Sequence, residues 1–361
     1  SNTTGAGNVA VGASALDANT TANENIAIGL SALTTNTTGA LNTSIGGNSM
    51  TANTTGSDNV AVGRSALRDN TTASNNTAVG RAALATNTTA SFNTAIGALA
   101  ADAITTGDSN TAIGYAALSS DTLGERAIAI GEGALLTQNF TSETHNYNVA
   151  IGYNAGYAVT TGIKNVAVGG LALDASTTGQ ENTAIGHQAL TSDTKGQRNV
   201  AIGHGSLVTQ NFTSATNSYN TAVGYNSGNA VTTGVQNTLI GSLAGDAITE
   251  AGFNTAVGMF SLSQNTLGSK NTALGYAALS AFNATSAADT YNTAVGSGAG
   301  AALTTGTQNT LIGGLSADAT TTGANNTALG YLSLSANTTG SGNIALGKAA
   351  LESNTTADNN T

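Results

Sequence analysis

The sequence predicts an all-β fold, a β-solenoid or β-roll, and two observations lead to that prediction. A five-residue phrase such as Asn8-Val-Ala-Val-Gly12 recurs twenty times, and its final glycine returns every 17 residues except at three intervals of 21. The residues before that glycine alternate large and small side chains, the period of a strand with two different faces. A fixed period of this length indicates a repeat architecture. We therefore expect about twenty coils of 17 residues, three of them lengthened to 21.

Positions in each coil are numbered here from this anchor glycine, so that −1 precedes it and +1 follows it. Position −1 is always Ile, Val or Leu, −2 is Ala in seventeen copies and −4 is Asn in nineteen. Position +4 is usually Leu, and +8 is Thr in all seventeen regular copies. The residues before the glycine form one short strand, the Ala-Leu stretch forms a second, and Asn-Thr-Thr-Gly is turn chemistry. Amphipathic helix is disfavoured by the recurring glycine beside β-branched residues.

Stacking coils at about 4.8 Å places equal positions above one another as rows. We expect the −1 and +4 rows to form the apolar core, and the small Ala row to let another strand or chain pack closely. The Asn row is expected to hydrogen-bond along the axis and to occupy a corner with positive φ. The invariant glycine indicates positive φ or close backbone approach.

The three 21-residue coils carry inserted segments rich in aromatic residues, and the coil after each loses its Leu to Gly156, Gly228 or Gly300. We predict a protruding loop above a locally repacked neighbour. The aromatic residues are candidate contacts for a glycan or protein, although they could instead cover the step made by the insertion or touch a sister chain. These candidates are Phe140, Tyr147, Phe212, Tyr219, Phe282 and Tyr291. The sequons at Asn139, Asn211 and Asn283 are candidate glycosylation sites.

Composition restricts the partners of the chain. The 361 residues carry a net charge of −10, which argues against nucleic acid and anionic membranes. There is no Cys for disulfides and no apolar run of transmembrane length, so no membrane insertion is expected in this segment. Since no stretch breaks the period, we expect one continuous solenoid over residues 1–361. The chain starts and stops within a repeat, without caps, which indicates a segment of a longer fibre protein.

No constellation in the sequence supports catalysis. The three histidines share no metal-ligand spacing, and no serine lies in a nucleophile elbow. The glycine pairs of the repeat lack the lysine and βαβ context of a phosphate site. We therefore predict no catalytic, cofactor-binding or metal residues and no enzymatic activity.

Regular threonine rows raise the alternative of an ice-binding solenoid with an ordered hydroxyl face. Thr37, Thr54 and Thr71 mark the row at position +8, and a second Thr follows each of them. Adjacent residues of a strand point to opposite faces, which weakens this alternative.

The phrase Asn-x-Ala-Ile/Val-Gly-x-x-Ala-Leu resembles the head repeats of YadA-like trimeric autotransporter adhesins. It is similar also to repeats of phage tail-fibre-like proteins, and the resemblance extends over essentially all 361 residues. The resemblance implies a parallel homotrimer in an extracellular fibre, on a cell surface or as a virion appendage. It implies self-association and attachment to a host surface, matrix or glycan.

Overall fold

The computed structural model describes residues 2–361, and their regular structure consists entirely of β-strands. Contacts divide the chain into a first unit that ends at Thr178 and a second that begins at Gly179. Each unit is a stack of coils and is described by itself, so the single continuous solenoid over 1–361 stays a prediction. Among residues 2–361 we find no helix long and apolar enough to span a membrane.

The first unit contains ten three-residue strands in one parallel sheet, in which each strand pairs with that of the following coil. Two shorter strands, β8 and β10, pair separately beside the first inserted segment. The bounds are β1 Val9–Val11, β2 Ile26–Ile28, β3 Thr43–Ile45, β4 Val60–Val62, β5 Thr77–Val79, β6 Thr94–Ile96, β7 Thr111–Ile113, β8 Gly124–Glu125, β9 Ile128–Ile130, β10 Thr144–His145, β11 Val149–Ile151 and β12 Val166–Val168.

The second unit repeats this arrangement with ten three-residue strands in parallel. Its two inserted segments add the short pairs β14–β16 and β20–β22. The bounds are β13 Thr183–Ile185, β14 Gly196–Gln197, β15 Val200–Ile202, β16 Thr216–Asn217, β17 Thr221–Val223, β18 Thr238–Ile240, β19 Thr255–Val257, β20 Gly268–Ser269, β21 Thr272–Leu274, β22 Ala288–Asp289, β23 Thr293–Val295, β24 Thr310–Ile312, β25 Thr327–Leu329 and β26 Ile344–Leu346.

The register confirms the β-solenoid, because every strand residue pairs with the residue one repeat later. Ala78 pairs with Ala95, for example, and Val79 with Ile96. Equal positions also pair across the inserted coils, where the offset lengthens with the repeat and Val200 pairs with Thr221, 21 residues away. Equal positions therefore form rows within each unit, as the period predicts.

The orientation of the strands corrects one prediction. The Ala row at −2 faces the interior and the Leu row at +4 is buried with it, whereas the −1 row faces outward. Ala27 and Leu33 are both 0% exposed, while Ile28 is 37% exposed. The prediction that Ile and Val form the core is therefore wrong, and the prediction for Leu is confirmed. The interior is thin, so a buried Leu leaves room for only a methyl group on the facing strand.

Paired substitutions at the +4 and −2 positions show how narrow the interior of the coil is. Where position +4 is glycine, at Gly228 and Gly245, the facing −2 position carries Leu239 instead of Ala. A Cβ at either glycine would lie 2.7 Å from a methyl carbon of Leu239. Leu311 fills the space beside Gly300 in the same way. At these levels a Leu of the −2 row takes the place of the missing +4 side chain. This confirms the local repacking predicted beside the insertions.

The Asn row at −4 forms the predicted axial ladder. Asn59 is fully buried; its Nδ2 donates to Asn42 Oδ1 at 3.1 Å and to the Ala73 carbonyl at 2.9 Å. Its Oδ1 accepts from the Asn76 backbone N–H at 3.0 Å. Positive φ, however, belongs to the preceding residue, such as Asp58 with φ 58°, so the corner was placed one residue too late.

One coil breaks the Asn ladder and is repaired by the first insertion. Ala127 occupies position −4 there and offers no side-chain acceptor to the next coil. In that next coil the Asn148 backbone N–H donates instead to Asn146 Oδ1 at 2.9 Å, a residue of the inserted segment. The extra residues therefore restore a buried hydrogen bond.

Candidate functional site

The three phenylalanines of the inserted coils are not available for surface contacts. Phe140, Phe212 and Phe282 are only 5%, 6% and 0% exposed. A Cβ at Gly268 would lie 2.7 Å from the ring of Phe282, so that ring lies against the preceding coil. The assignment of these residues as surface contacts is wrong, because all three rings are buried. The alternative structural interpretation fits all three.

The tyrosines of the same coils remain at the surface, where each is paired with a cation. Tyr147, Tyr219 and Tyr291 are 48%, 47% and 50% exposed. Arg126 and Arg198 each donate to the tyrosine hydroxyl of the next coil at 2.9 Å, and Lys270 does so at 3.2 Å. The cations lie 5.7, 5.6 and 5.3 Å from the ring centroids. Each tyrosine thus braces two coils as well as offering an exposed ring.

An acid joins the second and the third of these pairs. Arg198 Nε lies 2.8 Å from Glu181 Oε2. Lys270 Nζ lies 2.6 Å from Asp289 Oδ2. The hydrogen bond with Asp289, followed by that with Tyr291, raises the pKa of Lys270, and the bond with Lys270 lowers the pKa of Asp289. All three groups are in solvent, so this pair contributes little to stability.

The candidate glycosylation sites differ in access from the sequons of the regular turns. Asn139, Asn211 and Asn283 are exposed, and their Oδ1 atoms accept from Thr122, Thr194 and Thr266 at 2.9, 2.9 and 2.7 Å. By contrast, the turn sequons at Asn19, Asn36, Asn53, Asn70 and Asn87 are 0% exposed. The three asparagines of the inserted coils are therefore accessible where those five are not, and their glycosylation stays a prediction.

Two buried carboxylates were missed by sequence reasoning. Asp121 and Asp193 are 0% and 1% exposed. Asp121 Oδ1 accepts from the Gly124 N–H at 3.0 Å, and its Oδ2 accepts from Gln138 Nε2 at 2.6 Å. Burial raises the pKa of both acids, although the hydrogen bonds from Gln138 and Gln210 oppose that shift. The sequence did contain a signal for them. Both aspartates occupy position +7, where many regular coils carry Asn.

We expect these acids to make stability depend on pH. Because their folded pKa is raised, the folded state binds the proton more tightly than the unfolded chain. Their contribution to the unfolding free energy is therefore fully present in acid, below the ordinary Asp pKa of about 3.9, and is lost as pH rises through the raised folded pKa. The double variant Asp121→Asn/Asp193→Asn should flatten this slope in denaturant titrations, whereas exposed Asp58→Asn should leave it unchanged. If the unfolding free energy of the double variant kept the same dependence on pH, these two aspartates would not be its cause.

The +8 threonine hydroxyls are engaged inside the protein. Thr37 Oγ1 donates to the Thr54 carbonyl at 3.1 Å, and Thr54 and Thr71 each donate to the next coil at 3.0 Å. These hydroxyls tie neighbouring coils together. The row therefore offers no free hydroxyl hydrogens to an ice surface.

Each unit presents an uncovered row of aliphatic side chains on the outer face of its sheet, which we call the aliphatic stripe. It consists of the −1 residues: in the first unit Val11, Ile28, Ile45, Val62, Val79, Ile96, Ile113, Ile130, Ile151 and Val168, and in the second Ile185, Ile202, Val223, Ile240, Val257, Leu274, Val295, Ile312, Leu329 and Leu346. Its more exposed members range from 36% at Ile45 to 63% at Leu346. The outward −3 row beside it holds only Thr, Val and Ile.

Within residues 2–361, no three His, Asp or Glu side chains come together as a metal site. Comparison with models of known protein families finds no match, and none of the curated proteins compared matches the chain.

Proposed function

We propose that this chain is a non-catalytic, structural and adhesive segment of an extracellular fibre, in which copies associate along the aliphatic stripe as a parallel homotrimer. The observation that carries the proposal is the stripe itself. A monomeric soluble protein rarely exposes more than a few hundred Å² of contiguous apolar surface. Ten outward aliphatic residues in each unit, beside a row without charges, favour a covered face.

The occupant that fits this face best is a second copy of the same chain. A copy has the same axial repeat of about 4.8 Å, so each aliphatic residue can meet an equivalent residue at every level. Charge supports the choice: with a net charge of −10, copies repel one another in general, and the uncharged −3 and −1 rows are where they can approach.

The adhesive role and extracellular location rest on the repeat phrase, which resembles YadA-like head repeats and repeats of phage fibre-like proteins. A stacked repeat is suited to such a role because it spaces and displays its outer surface regularly. Host surface, matrix and glycans are the partners that this resemblance supports.

The solution mass tests the proposal. Light scattering should give about 105 kDa, three times 35.1 kDa. Aspartates in the stripe of each unit, as Ile96→Asp with Ile240→Asp, should lower the mass toward one chain. The control, Phe92→Asp with Phe253→Asp, changes exposed apolar residues at position −5 and should leave the mass unchanged. A wild-type mass of 35.1 kDa would refute self-association.

A second candidate function, ice binding, is favoured by a different threonine row from the one considered first. In the second unit seven successive three-residue strands place Thr at −3 on the outer face. Their hydroxyls make no hydrogen bond within the described residues: Thr221, Thr238, Thr255, Thr272, Thr293, Thr310 and Thr327. This function requires the face to be uncovered. Thermal hysteresis that Thr255→Lys abolishes and Thr249→Val leaves intact would support it, and an intact chain without hysteresis would eliminate it.

A further inference from the structure

The first unit contains a cleft that belongs neither to the aliphatic stripe nor to the inserted tyrosine braces. It has a volume of about 310 Å³ and lies across the coils of anchors 114, 131 and 152. Tyr115, Glu132 and Tyr153 occupy position +1 on these three successive coils, and Leu136 and Tyr157 also line the cleft. Tyr115 and Tyr153 are 53% and 57% exposed. Their backbones stand two coils apart, about 9.6 Å.

A glycine keeps the cleft open. Gly133 lines it with φ 67°, and a Cβ there would collide with Asn154 Oδ1 and lie 3.6 Å from the ring of Tyr157. Another residue at this position would therefore displace Asn154 and narrow the space beside Tyr157.

The groups that line the cleft give it a negative electrostatic potential. The Glu132 carboxylate makes no hydrogen bond or ion pair within residues 2–361, and the cleft contains no Lys or Arg. Tyrosine faces carry the negative side of the ring quadrupole, so they attract cations. A carboxylate and three tyrosines therefore favour a positively charged group, while the aliphatic side chain of Leu136 favours apolar substituents on it.

We propose that this cleft binds a small organic cation of the trimethylammonium class. Such a group places its charge near the Glu132 carboxylate while its methyl groups contact the rings of Tyr115, Tyr153 and Tyr157. A neutral saccharide could stack on the same rings, but it would leave the carboxylate charge uncompensated. The site goes beyond the fibre role and does not depend on self-association, so either proposal can fail without the other.

Equivalent positions in the second unit supply internal controls. One block of coils has His187, His204 and Tyr225 at +1, where the rings stack at centroid distances of 5.4 and 5.5 Å and a carboxylate is absent. The next block has Met259, Tyr276 and Ser297. The combination of two tyrosines around a glutamate therefore belongs to the first unit.

Isothermal titration of the full chain with tetramethylammonium and choline tests the site. Both should bind, and 3,3-dimethyl-1-butanol, the neutral carbon analogue of choline, should bind at least about tenfold more weakly. Glu132→Gln should weaken choline binding about tenfold, and Tyr115→Leu/Tyr153→Leu should remove it. The matched control Tyr276→Leu should leave the affinity unchanged, and thermal unfolding should show that every variant is folded.

Three results would overturn the proposal. They are no heat of binding for either cation, equal binding of the neutral analogue, and an equal loss of affinity in Tyr276→Leu. Preferential binding of methyl glucoside over choline would assign the cleft to saccharides instead.

Discussion

Gly46→Ala should destabilise the first unit by roughly 4 kcal/mol, the largest effect expected from a single substitution in this chain. Gly46 has φ 136°, a conformation that side chains rarely adopt. An added Cβ would lie 2.5 Å from the carbonyl oxygen of Gly63 and 2.6 Å from its carbon, both backbone atoms of the next coil. Because neither atom can rotate away, the coils must separate. Urea denaturation monitored by circular dichroism measures the loss.

The next residue provides the control. At Gly47 an added Cβ meets nothing within 4 Å, and its φ is not in the positive region. Gly47→Ala should therefore change the unfolding free energy by less than about 0.5 kcal/mol. Equal stabilities of the two variants would contradict the close approach of the anchor glycines.

Asn59→Ala should cost roughly 3 kcal/mol, the second largest effect. The substitution removes two donated hydrogen bonds and leaves the buried Asn76 backbone N–H without its acceptor. It also leaves a small void in the interior. Urea denaturation monitored by circular dichroism measures the loss of unfolding free energy.

Asn23→Ala is the matched control for loss of an asparagine side chain. Asn23 is exposed, and its Oδ1 accepts a single bond from the Ala6 N–H at 2.8 Å. Water can replace that acceptor, so the variant should lose less than about 1 kcal/mol. If Asn59→Ala were equally mild, the Asn row would not be a stabilising ladder.

The period of the sequence predicted the coils, the strand at −3 to −1, the Asn ladder and the buried Leu row. The prediction of a second strand at the Ala-Leu stretch is wrong, because this stretch is a turn in which Leu33 has φ 54°. It did not predict which strand face points inward, because alternation defines two faces without ranking them. We placed the larger Ile and Val inside, but a coil this thin admits Leu33 only when the opposite residue is as small as Ala27. The paired changes at Gly228 and Leu239 were the visible signal of that competition.

For the inserted coils the sequence indicated where aromatic residues cluster but not which ones remain exposed. Phe140 is 5% exposed, whereas Tyr147 is 48% exposed and its hydroxyl accepts from Arg126 of the preceding coil. Arg126 occupies the same position as Tyr147, −5, in the preceding coil. That cation was the sequence signal that Tyr147, and not Phe140, remains at the surface. The cleft of Tyr115 and Tyr153 was beyond sequence reasoning, because it depends on side chains brought together by three coils.

Two neighbouring single-cysteine variants test most directly whether the aliphatic stripe faces outward and whether another copy of the chain covers it. The chain has no Cys of its own, so each variant carries one thiol. Ser44 is 0% exposed at −2, and Ile45 is 36% exposed at −1. After mild oxidation, Ile45→Cys should run as disulfide-linked chains on a non-reducing gel, and Ser44→Cys should stay a single chain that does not react with maleimide. Rapid maleimide labelling of Ser44→Cys would contradict the inward orientation of the −2 row, and an Ile45→Cys variant that labels fully and never cross-links would contradict the covered stripe.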